Sequence, residues 1–221
     1  WIESGASFTE VVKNTKQTAA IKGVLAAFST GDAITAEQTQ LPAKKVSAIS
    51  SDILLALSKE GVALVPIVNG SNYVRANLIG VETLSAQTFQ LLSKISDQLL
   101  QLNASFTAIK DEHLSALSNC KQLKQLELNG TSITNKGLAS LDAFENLEIL
   151  SITQTKATAE GITSLTKLKK LKKVYLYKTS FTNAAIAQLK QKMPGLRIDT
   201  GGYKVPILVT DTTEAKAPEI K

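Results

Sequence analysis

Apolar residues recur with a fixed period of 24 in the stretch from Leu123 to Pro194. The stretch divides into three lines, LKQLELNGTSITNKGLASLDAFEN, LEILSITQTKATAEGITSLTKLKK and LKKVYLYKTSFTNAAIAQLKQKMP. The apolar columns are Leu123, Leu147, Leu171; Leu126, Leu150, Val174; Leu128, Ile152, Leu176; Ile133, Ala157, Phe181; Leu138, Ile162, Ile186; and Leu141, Leu165, Leu189. A polar column of Thr131, Thr155 and Thr179 accompanies them. Agreement of this many columns over three lines indicates an internal structural repeat.

Each line changes its periodicity half-way. L-x-x-L-x-L alternates apolar and polar residues and predicts a short strand, whereas the spacing of three and four that follows predicts a helix. Thr134, Thr158 and Thr182 precede the predicted helices, where a threonine hydroxyl can cap a helix N-terminus. A strand–helix unit of about 20 to 29 residues with this leucine pattern is typical of a leucine-rich repeat. The prediction is therefore an α/β solenoid, with short parallel strands on the concave face and helices on the convex face.

The remaining segments predict a helical N-terminal part, 1–45, a repeat domain, 46–200, and a C-terminal tail, 201–221. Ser7-Phe8-Thr9-Glu10 matches a capping box, which predicts a helix to about Phe28, followed by a loop over 32–45. We expect further helices at 47–57 and 83–95, strands at 62–68 and 73–79 joined by a turn at 69–72, and a last strand at 196–198. Leu100 and Leu102 are predicted to align with Leu126 and Leu128, which makes their line two residues too long.

Composition restricts the possible classes of protein. The chain has 221 residues, 20% of them charged, and a net charge of +6, which favours an acidic partner only weakly. It contains no apolar run of about 18 residues, as a membrane-spanning helix would require. Its single cysteine excludes an internal disulfide. Because the sequence starts at Trp1, with neither an initiator Met nor a signal peptide, it reads as a piece of a longer protein.

Two resemblances extend this interpretation. The T-x-I-T-x-x-G-L-x-x-L lines resemble the leucine-rich repeats of bacterial extracytoplasmic proteins, built as a ribonuclease-inhibitor-like horseshoe, well over 95–199 and loosely over 46–94. Trp1-Ile2-Glu3-Ser4-Gly5-Ala6 is similar to the last helix of planctomycete-type cytochrome c domains, which precede leucine-rich tails in some membrane proteins. This resemblance implies a periplasmic, membrane-tethered parent that carries haem upstream. The haem motif C-x-x-C-H is absent from the chain, so we expect no cofactor in it.

Few residues suggest chemistry. His113 beside Glu112 predicts a surface or capping role, and Cys120, in the column of Phe144 and Leu168, predicts a core position. One histidine and one cysteine cannot form a metal cluster of the usual spacing, and no catalytic motif stands out. Five lysines lie at 167, 169, 170, 172 and 173, which predicts either a solvated rim or a patch for an acidic partner or lipid headgroups.

The residues between the buried leucines of each strand are the better binding candidates. The full predicted concave set is Leu99, Gln101, Asn103, Gln125, Glu127, Asn129, Ile149, Ser151, Thr153, Lys173, Tyr175, Tyr177, Arg197 and Asp199. Within it we expect binding by Gln101, Asn103, Gln125, Glu127, Asn129, Lys173, Tyr175, Tyr177 and Arg197. Tyrosine and arginine are frequent anchors of protein interfaces, so the Tyr-Lys-Arg corner is the preferred candidate.

Three functions follow from these observations. The preferred one is a non-catalytic module of an extracytoplasmic protein that binds a partner protein or a neighbouring domain of its parent. The second is a spacer that positions an upstream cytochrome domain in an electron-transfer protein. The third, an enzyme acting on carbohydrate, has no support in the sequence. We expect no nucleic-acid partner, because the lysine run lacks interleaved aromatic residues that would stack bases.

Overall fold

A computed structural model describes residues 41–202 of the 221-residue chain. Its helices are α1 (Ser51–Lys59), α2 (Ala86–Lys94), α3 (Asp111–Ala116), α4 (Asn135–Ala139), α5 (Ile162–Leu165) and α6 (Asn183–Lys192). Its strands are β1 (Ala63–Pro66), β2 (Val74–Asn77), β3 (Leu99–Asn103), β4 (Gln125–Glu127), β5 (Ile149–Ser151), β6 (Lys173–Tyr175) and β7 (Arg197–Asp199). Single 3₁₀ turns at Ser140–Ala143 and Ala159–Gly161 complete the repeats. From Lys44 onward the described residues belong to one compact unit.

The seven strands of the described region form one sheet in sequence order. β1 and β2 are an antiparallel hairpin, and every later neighbour pairs in parallel. Each of the strands β2 to β6 is followed by a helical segment, and the side chains between the two layers form one continuous buried core. The fold is a leucine-rich repeat solenoid. The predicted α/β architecture is confirmed, and so is the predicted hairpin near its start.

The 24-residue period begins one line earlier than the sequence analysis placed it. Leu102 pairs with Leu126, and Gln101 pairs with Gln125, so Leu99 is the leucine that opens this line. The alignment of Leu100 with Leu126 was therefore wrong, and Leu99 is fully buried rather than on the concave face. The two extra residues lie in the preceding line, where Arg75 pairs with Gln101 across an irregularity in β2. Leu99, Leu100 and Leu102 are all apolar, which made both phases compatible with the pattern.

The threonine column ends each strand in the same way. The hydroxyls of Thr107, Thr131, Thr155 and Thr179 each donate a hydrogen bond to the carbonyl oxygen three residues earlier, over 2.6, 2.6, 2.8 and 2.6 Å. Two of the four, Thr131 and Thr155, are buried. A buried hydroxyl requires a partner, and the carbonyl that has just left the strand provides one. The inclusion of Thr107 confirms that the line starting at Leu99 is a regular repeat.

The helix starts agree with the sequence pattern in part. Thr134 and Thr182 cap α4 and α6 by accepting the backbone N–H of Lys136 and Ala185. Thr158 does not cap its helix, so that prediction was wrong: its hydroxyl accepts a hydrogen bond from the side chain of Asn135 in the preceding repeat.

The N-terminal helix of the described region is shorter than predicted. α1 starts at Ser51 rather than Ser47, because the carbonyls of Val46 and Ser47 accept hydrogen bonds from Asn72 and Gln98 and Ser50 has extended backbone geometry. The predicted helix at 7–28 and the tail beyond Gly202 lie outside the described residues. The predicted boundaries at 45 and 200 stay predictions.

Candidate functional site

The concave face presents side chains in rows that run across the strands. The register of β2 to β7 places Arg75, Gln101, Gln125, Ile149, Lys173 and Arg197 in one row. The next row consists of Asn77, Asn103, Glu127, Ser151, Tyr175 and Asp199. At the same spacing beyond the strands come Ser105, Asn129, Thr153, Tyr177 and Gly201. The strands thus bring the predicted binding residues onto one face in the order in which the repeats occur.

The first half of this face is internally bonded. A carboxylate oxygen of Glu127 accepts hydrogen bonds from the Arg75 guanidinium over 2.9 Å and from the Gln125 amide over 2.8 Å. Arg75 lies two strands away from Glu127 in the sheet, so the contact spans one repeat. Gln101 lies in the same row between Arg75 and Gln125 and is half-buried. The side chains of Arg75, Gln125 and Glu127 therefore form a polar cluster that connects β2 with β4.

The two predicted asparagines stabilise the turns after the strands. Asn103 is only 7% exposed, and its side-chain oxygen accepts the backbone N–H of Ser105 over 3.0 Å. Asn129 donates to the Ser105 hydroxyl and accepts from the hydroxyls of Ser151 and Thr153. The Asn129 side chain therefore connects three consecutive repeats, which leaves its amide little capacity for an external ligand.

The second half of the face holds the Tyr-Lys-Arg corner, formed by Lys173, Tyr175, Tyr177 and Arg197. The Lys173 ammonium lies 4.7 Å from the centre of the Tyr175 ring. Arg197 is exposed and pairs in register with Lys173, whereas Asp199 is opposite Tyr175. An ammonium at this distance from a ring face is attracted by the ring quadrupole. The corner therefore combines two aromatic rings with fixed positive charge at the end of the sheet.

Tyr177 is the most exposed ring of the corner and is held from two sides. Its residue is 42% exposed, and the Lys178 ammonium lies 5.4 Å from the ring centre. The ring also covers Gly201, where an added Cβ would lie only 2.2 Å from a ring carbon. A rigid, exposed aromatic side chain loses little conformational entropy when a partner covers it. Tyr177 therefore has the properties of an interface anchor.

One turn position of every repeat adopts left-handed backbone geometry, which the sequence analysis missed. The residues at this position follow each other every 24 residues and all have positive φ, from 53° to 79°: Phe106, Gly130, Gln154, Lys178 and Gly202. Positive φ is strained for residues other than glycine. Gly130 and Gly202 were a possible signal, but the three non-glycine members share no chemistry, so no column was visible. Phe106 is 70% exposed, and its ring lies against Gly130.

His113 and Cys120 have structural surroundings. The Nδ1 atom of His113 accepts the backbone N–H of Lys110 over 3.0 Å, and its ring stacks on Phe89 with 4.5 Å between centroids. Burial lowers the pKa of His113 below its ordinary value of 6.5, with Glu112 raising and Lys110 lowering it. Cys120 is fully buried, and burial raises its thiol pKa to about 12. The capping role of His113 and the core position of Cys120 are confirmed.

The lysine run lies on the turn from α5 into β6. Lys167 pairs with Asp142 at 3.5 Å, Lys170 donates to the Asn146 side chain over 2.6 Å, and Lys172 pairs with Glu148 at 2.5 Å. Each partner belongs to the preceding repeat. Burial tends to raise the pKa of Glu148, but hydrogen bonds and charge from Lys172 and Lys124 outweigh it and hold the pKa below its ordinary value. Glu148 therefore remains a carboxylate between two ammonium groups.

Two further properties concern the described part of the chain. Between residues 41 and 202 no group of three His, Cys, Asp or Glu side chains is placed to hold a metal ion. In the same range no helix combines the length and the apolar character that crossing a membrane requires.

Comparison with known proteins gives structural similarity only. No family model matches the chain, and no curated protein matches it in sequence. The chain is similar to internalin C2 of Listeria monocytogenes, with 19% identity and a TM-score of 0.44 over 57% of this chain and 50% of that one. It is also similar to a leucine-rich repeat protein of Leptospira interrogans, with 17% identity and a TM-score of 0.39 over 53% and 28%. A second Listeria internalin aligns with 18% identity and a TM-score of 0.36 over 52% and 38%. The chain thus spans half or less of each of these proteins.

Proposed function

We propose that the chain is a non-catalytic protein-interaction module whose partner binds the Tyr-Lys-Arg corner. The observation that carries the proposal is Tyr177, a 42% exposed ring supported by Gly201 and Lys178 beside the stacked pair of Lys173 and Tyr175. A few residues, with tyrosine and arginine enriched among them, supply most of the binding energy in typical interfaces. The concave face of a solenoid is also the surface that such folds commonly use for binding.

The other predicted binding residues support the corner in this proposal. The polar groups of Glu127, Gln125 and Asn129 already form hydrogen bonds within the concave face, and Asn103 is buried. A partner that displaced these contacts would leave buried polar groups unsatisfied, which costs about 1 to 3 kcal/mol for each group. We therefore assign Gln101, Asn103, Gln125, Glu127 and Asn129 to the rigidity of the concave face and the main binding energy to the tyrosines.

The surroundings of the nucleophilic and titratable candidates support a non-catalytic function. The single cysteine is buried with its thiol pKa raised to about 12, so it stays protonated at neutral pH. The single histidine uses Nδ1 to accept a backbone hydrogen bond and stacks on Phe89 in the helical layer. Neither side chain belongs to the corner.

The proposal is tested by site-specific photocrosslinking. A benzophenone amino acid replaces Tyr177 in one variant and Thr163, an exposed residue of α5 on the helical layer, in a matched control. Both are incubated with periplasmic and membrane extracts. The proposal is supported if a protein is captured from position 177 but not from 163, and if this capture is lost when Tyr175→Ala is added to the variant at 177. Equal capture from both positions, or none from 177, contradicts it.

A finer proposal is that the parent is extracytoplasmic, and an alternative to a separate partner is that the module positions an upstream haem domain of that parent. The similarity of Trp1–Ala6 to the end of a cytochrome c domain motivates it. In this alternative the corner contacts the parent's own haem domain, and haem is bound only upstream. Binding of the isolated chain to the purified haem domain, weakened by Tyr177→Ala, would favour the spacer over a separate partner. Haem retained by this chain alone, or a cytoplasmic location of the parent in cell fractionation, would contradict it.

A further inference from the structure

A groove of about 480 Å³ lies between the last two helix-to-strand turns of the described solenoid. One wall is the turn from α5 into β6, with Lys169, Lys170 and Lys172. The other is the turn from α6 into β7, with Lys192, Met193 and Gly195. The groove therefore opens at the edge of the repeats, at the amino ends of the strands.

The groove exists because two apolar columns stop in the last repeat. Leu99, Leu123, Leu147 and Leu171 open successive lines as buried residues, but the next position in this column is Gly195. Cys120, Phe144 and Leu168 form a second buried column, in which the next position is Lys192. A Cβ added at Gly195 would meet no atom of residues 41–202 within 4 Å. Space that a leucine fills in the earlier repeats is thus open here.

Charges along this edge alternate from one repeat to the next. Lys121 pairs with Glu145 at 3.0 Å, and Lys124 pairs with Glu148 at 3.1 Å, each pair separated by 24 residues. The corresponding positions one repeat further are Lys169 and Lys172, which restore the positive sign. One repeat beyond these come Met193 and Leu196, so the alternation ends on lysines. The side chain of Lys192 makes no hydrogen bond or ion pair with another residue of the described part of the chain.

We propose that this groove binds an extended acidic segment of another polypeptide. One of its carboxylates would pair with Lys169 and continue the alternating charges, and a second would pair with Lys192 on the opposite wall. An aliphatic side chain would occupy the space above Gly195, against Met193. The groove is separate from the Tyr-Lys-Arg corner, so this inference stands whether or not the corner binds a partner.

The lining favours an acidic polypeptide over other anions. At the equivalent place in earlier repeats, Lys121 and Lys124 form ion pairs with the side chains of Glu145 and Glu148. The half-buried Met193 offers an apolar contact that suits an aliphatic residue rather than a phosphate. The residues that line the groove include no aromatic ring on which a nucleic-acid base could stack. Four lysines against the single, already paired Glu148 give the lining a net positive charge.

The binding test uses a fluorescein-labelled peptide of alternating Glu and Leu and a matched peptide of alternating Gln and Leu. Fluorescence anisotropy measures their affinity for the full chain and for Lys169→Gln/Lys192→Gln, in which no contact between repeats is removed. Lys136→Gln/Lys156→Gln, two exposed lysines outside the groove, controls for net charge. We expect the groove variant to lose affinity by about tenfold and the control variant by less than about twofold, because screened surface charges act mainly at short range. Equal losses in both variants, or equal binding of the Gln peptide, would overturn the proposal.

A second variant separates the groove from a general attraction to lysines. Gly195→Leu keeps every charge but fills the open space by extending the leucine column. We expect this substitution to lower the affinity for the Glu-Leu peptide by about tenfold. Circular dichroism should show that the variant remains folded. Amide chemical-shift changes should be confined to the two turns around Lys170 and Met193. Unchanged affinity in Gly195→Leu would refute the groove as the site. Groove-dependent binding to anionic phospholipid vesicles without binding to the peptide would refute the choice of a polypeptide.

Discussion

Asp111 accepts two hydrogen bonds from a single residue of the next repeat, Thr134. One carboxylate oxygen accepts the Thr134 backbone N–H over 2.9 Å, and the other accepts its hydroxyl over 2.6 Å. Asn135 repeats the arrangement one line later, accepting the Thr158 N–H over 2.9 Å and donating to its hydroxyl over 2.7 Å. These two-point contacts join the helix starts of consecutive repeats, outside the strands β3 to β6.

The equivalence of Asp111 and Asn135 in consecutive repeats predicts different effects of two substitutions at Asp111. Asp111→Ala should lower the free energy of unfolding by about 1 to 3 kcal/mol, because it leaves the Thr134 N–H and hydroxyl without their partner. Asp111→Asn should cost much less, since Asn135 shows that an amide satisfies the same two groups. Urea unfolding followed by circular dichroism measures both. Equal destabilisation by Ala and Asn would mean that the negative charge, rather than the two-point geometry, is what stabilises the contact.

Gly137 is predicted to be required by the same contact. A Cβ at this position would lie 2.3 Å from a carboxylate oxygen of Asp111 and 3.0 Å from a methyl carbon of Ile133. We expect Gly137→Ala to destabilise the protein by about 1 to 3 kcal/mol through overpacking. Asp111→Ala should relieve part of this cost, so the two substitutions should be non-additive in a double-mutant cycle. Additive effects would show that Asp111 is not the side chain that excludes a larger residue.

Gln154 offers a prediction of increased stability. Its backbone has φ of 55°, and its side chain is exposed. Gln154→Gly should raise the free energy of unfolding by about 0.5 to 1 kcal/mol, because glycine removes a left-handed strain of about 1 to 2 kcal/mol and loses part of that in chain entropy. Gln154→Ala keeps the Cβ and is the control, with no gain expected. A stabilising Ala variant would place the effect in the side chain instead of the backbone.

His113 predicts a pH dependence of stability. Its pKa in the folded state lies below 6.5, chiefly because of burial, so between these two pKa values the unfolded chain binds the proton and the folded chain does not. The stability due to neutral His113 is therefore complete above pH 6.5 and is lost as the pH falls through 6.5 towards the folded-state pKa. Unfolding in urea across this range, with His113→Asn as a control that keeps a hydrogen-bond acceptor, isolates the contribution. The same pH slope in both proteins would contradict it.

The rate at which Cys120 reacts with a thiol reagent can measure how often the core of its repeat opens. Cys120 is the only cysteine in the chain, it is fully buried, and its thiol pKa is raised to about 12. We expect a thiol reagent to label the native protein at mildly alkaline pH only as fast as the repeat opens, and to label it immediately in urea. Thr107→Val removes the hydroxyl contact with the Ala104 carbonyl in the same repeat and should speed labelling. Rapid labelling of the folded wild-type chain would contradict the buried position.

The sequence predicted the parts of the structure that repeat locally. Strands and helices can be predicted from apolar side chains two, three or four positions apart. The same pattern recurs in each 24-residue line, so each line predicts the same strand and helix. The Tyr-Lys-Arg corner could be proposed for the same reason, because strand alternation and a common period place Lys173, Tyr175 and Arg197 on one face. The phase of the line at Leu99 could not be decided in this way, since its consecutive leucines fit two alignments.

Other features depend on which side chains meet across repeats. The Asp111–Thr134 contact, the Asn129 network and the groove at Gly195 join residues about 24 positions apart, and no local pattern encodes their geometry. The left-handed column unites Phe106, Gln154 and Lys178, which share a backbone shape but no side-chain chemistry. The sequence alone therefore determined the repeat, its strand–helix order and its buried columns, because burial of apolar area follows from spacing along the chain. The tertiary structure decided the phase, the contacts between repeats and the open groove, because these depend on how neighbouring repeats stack.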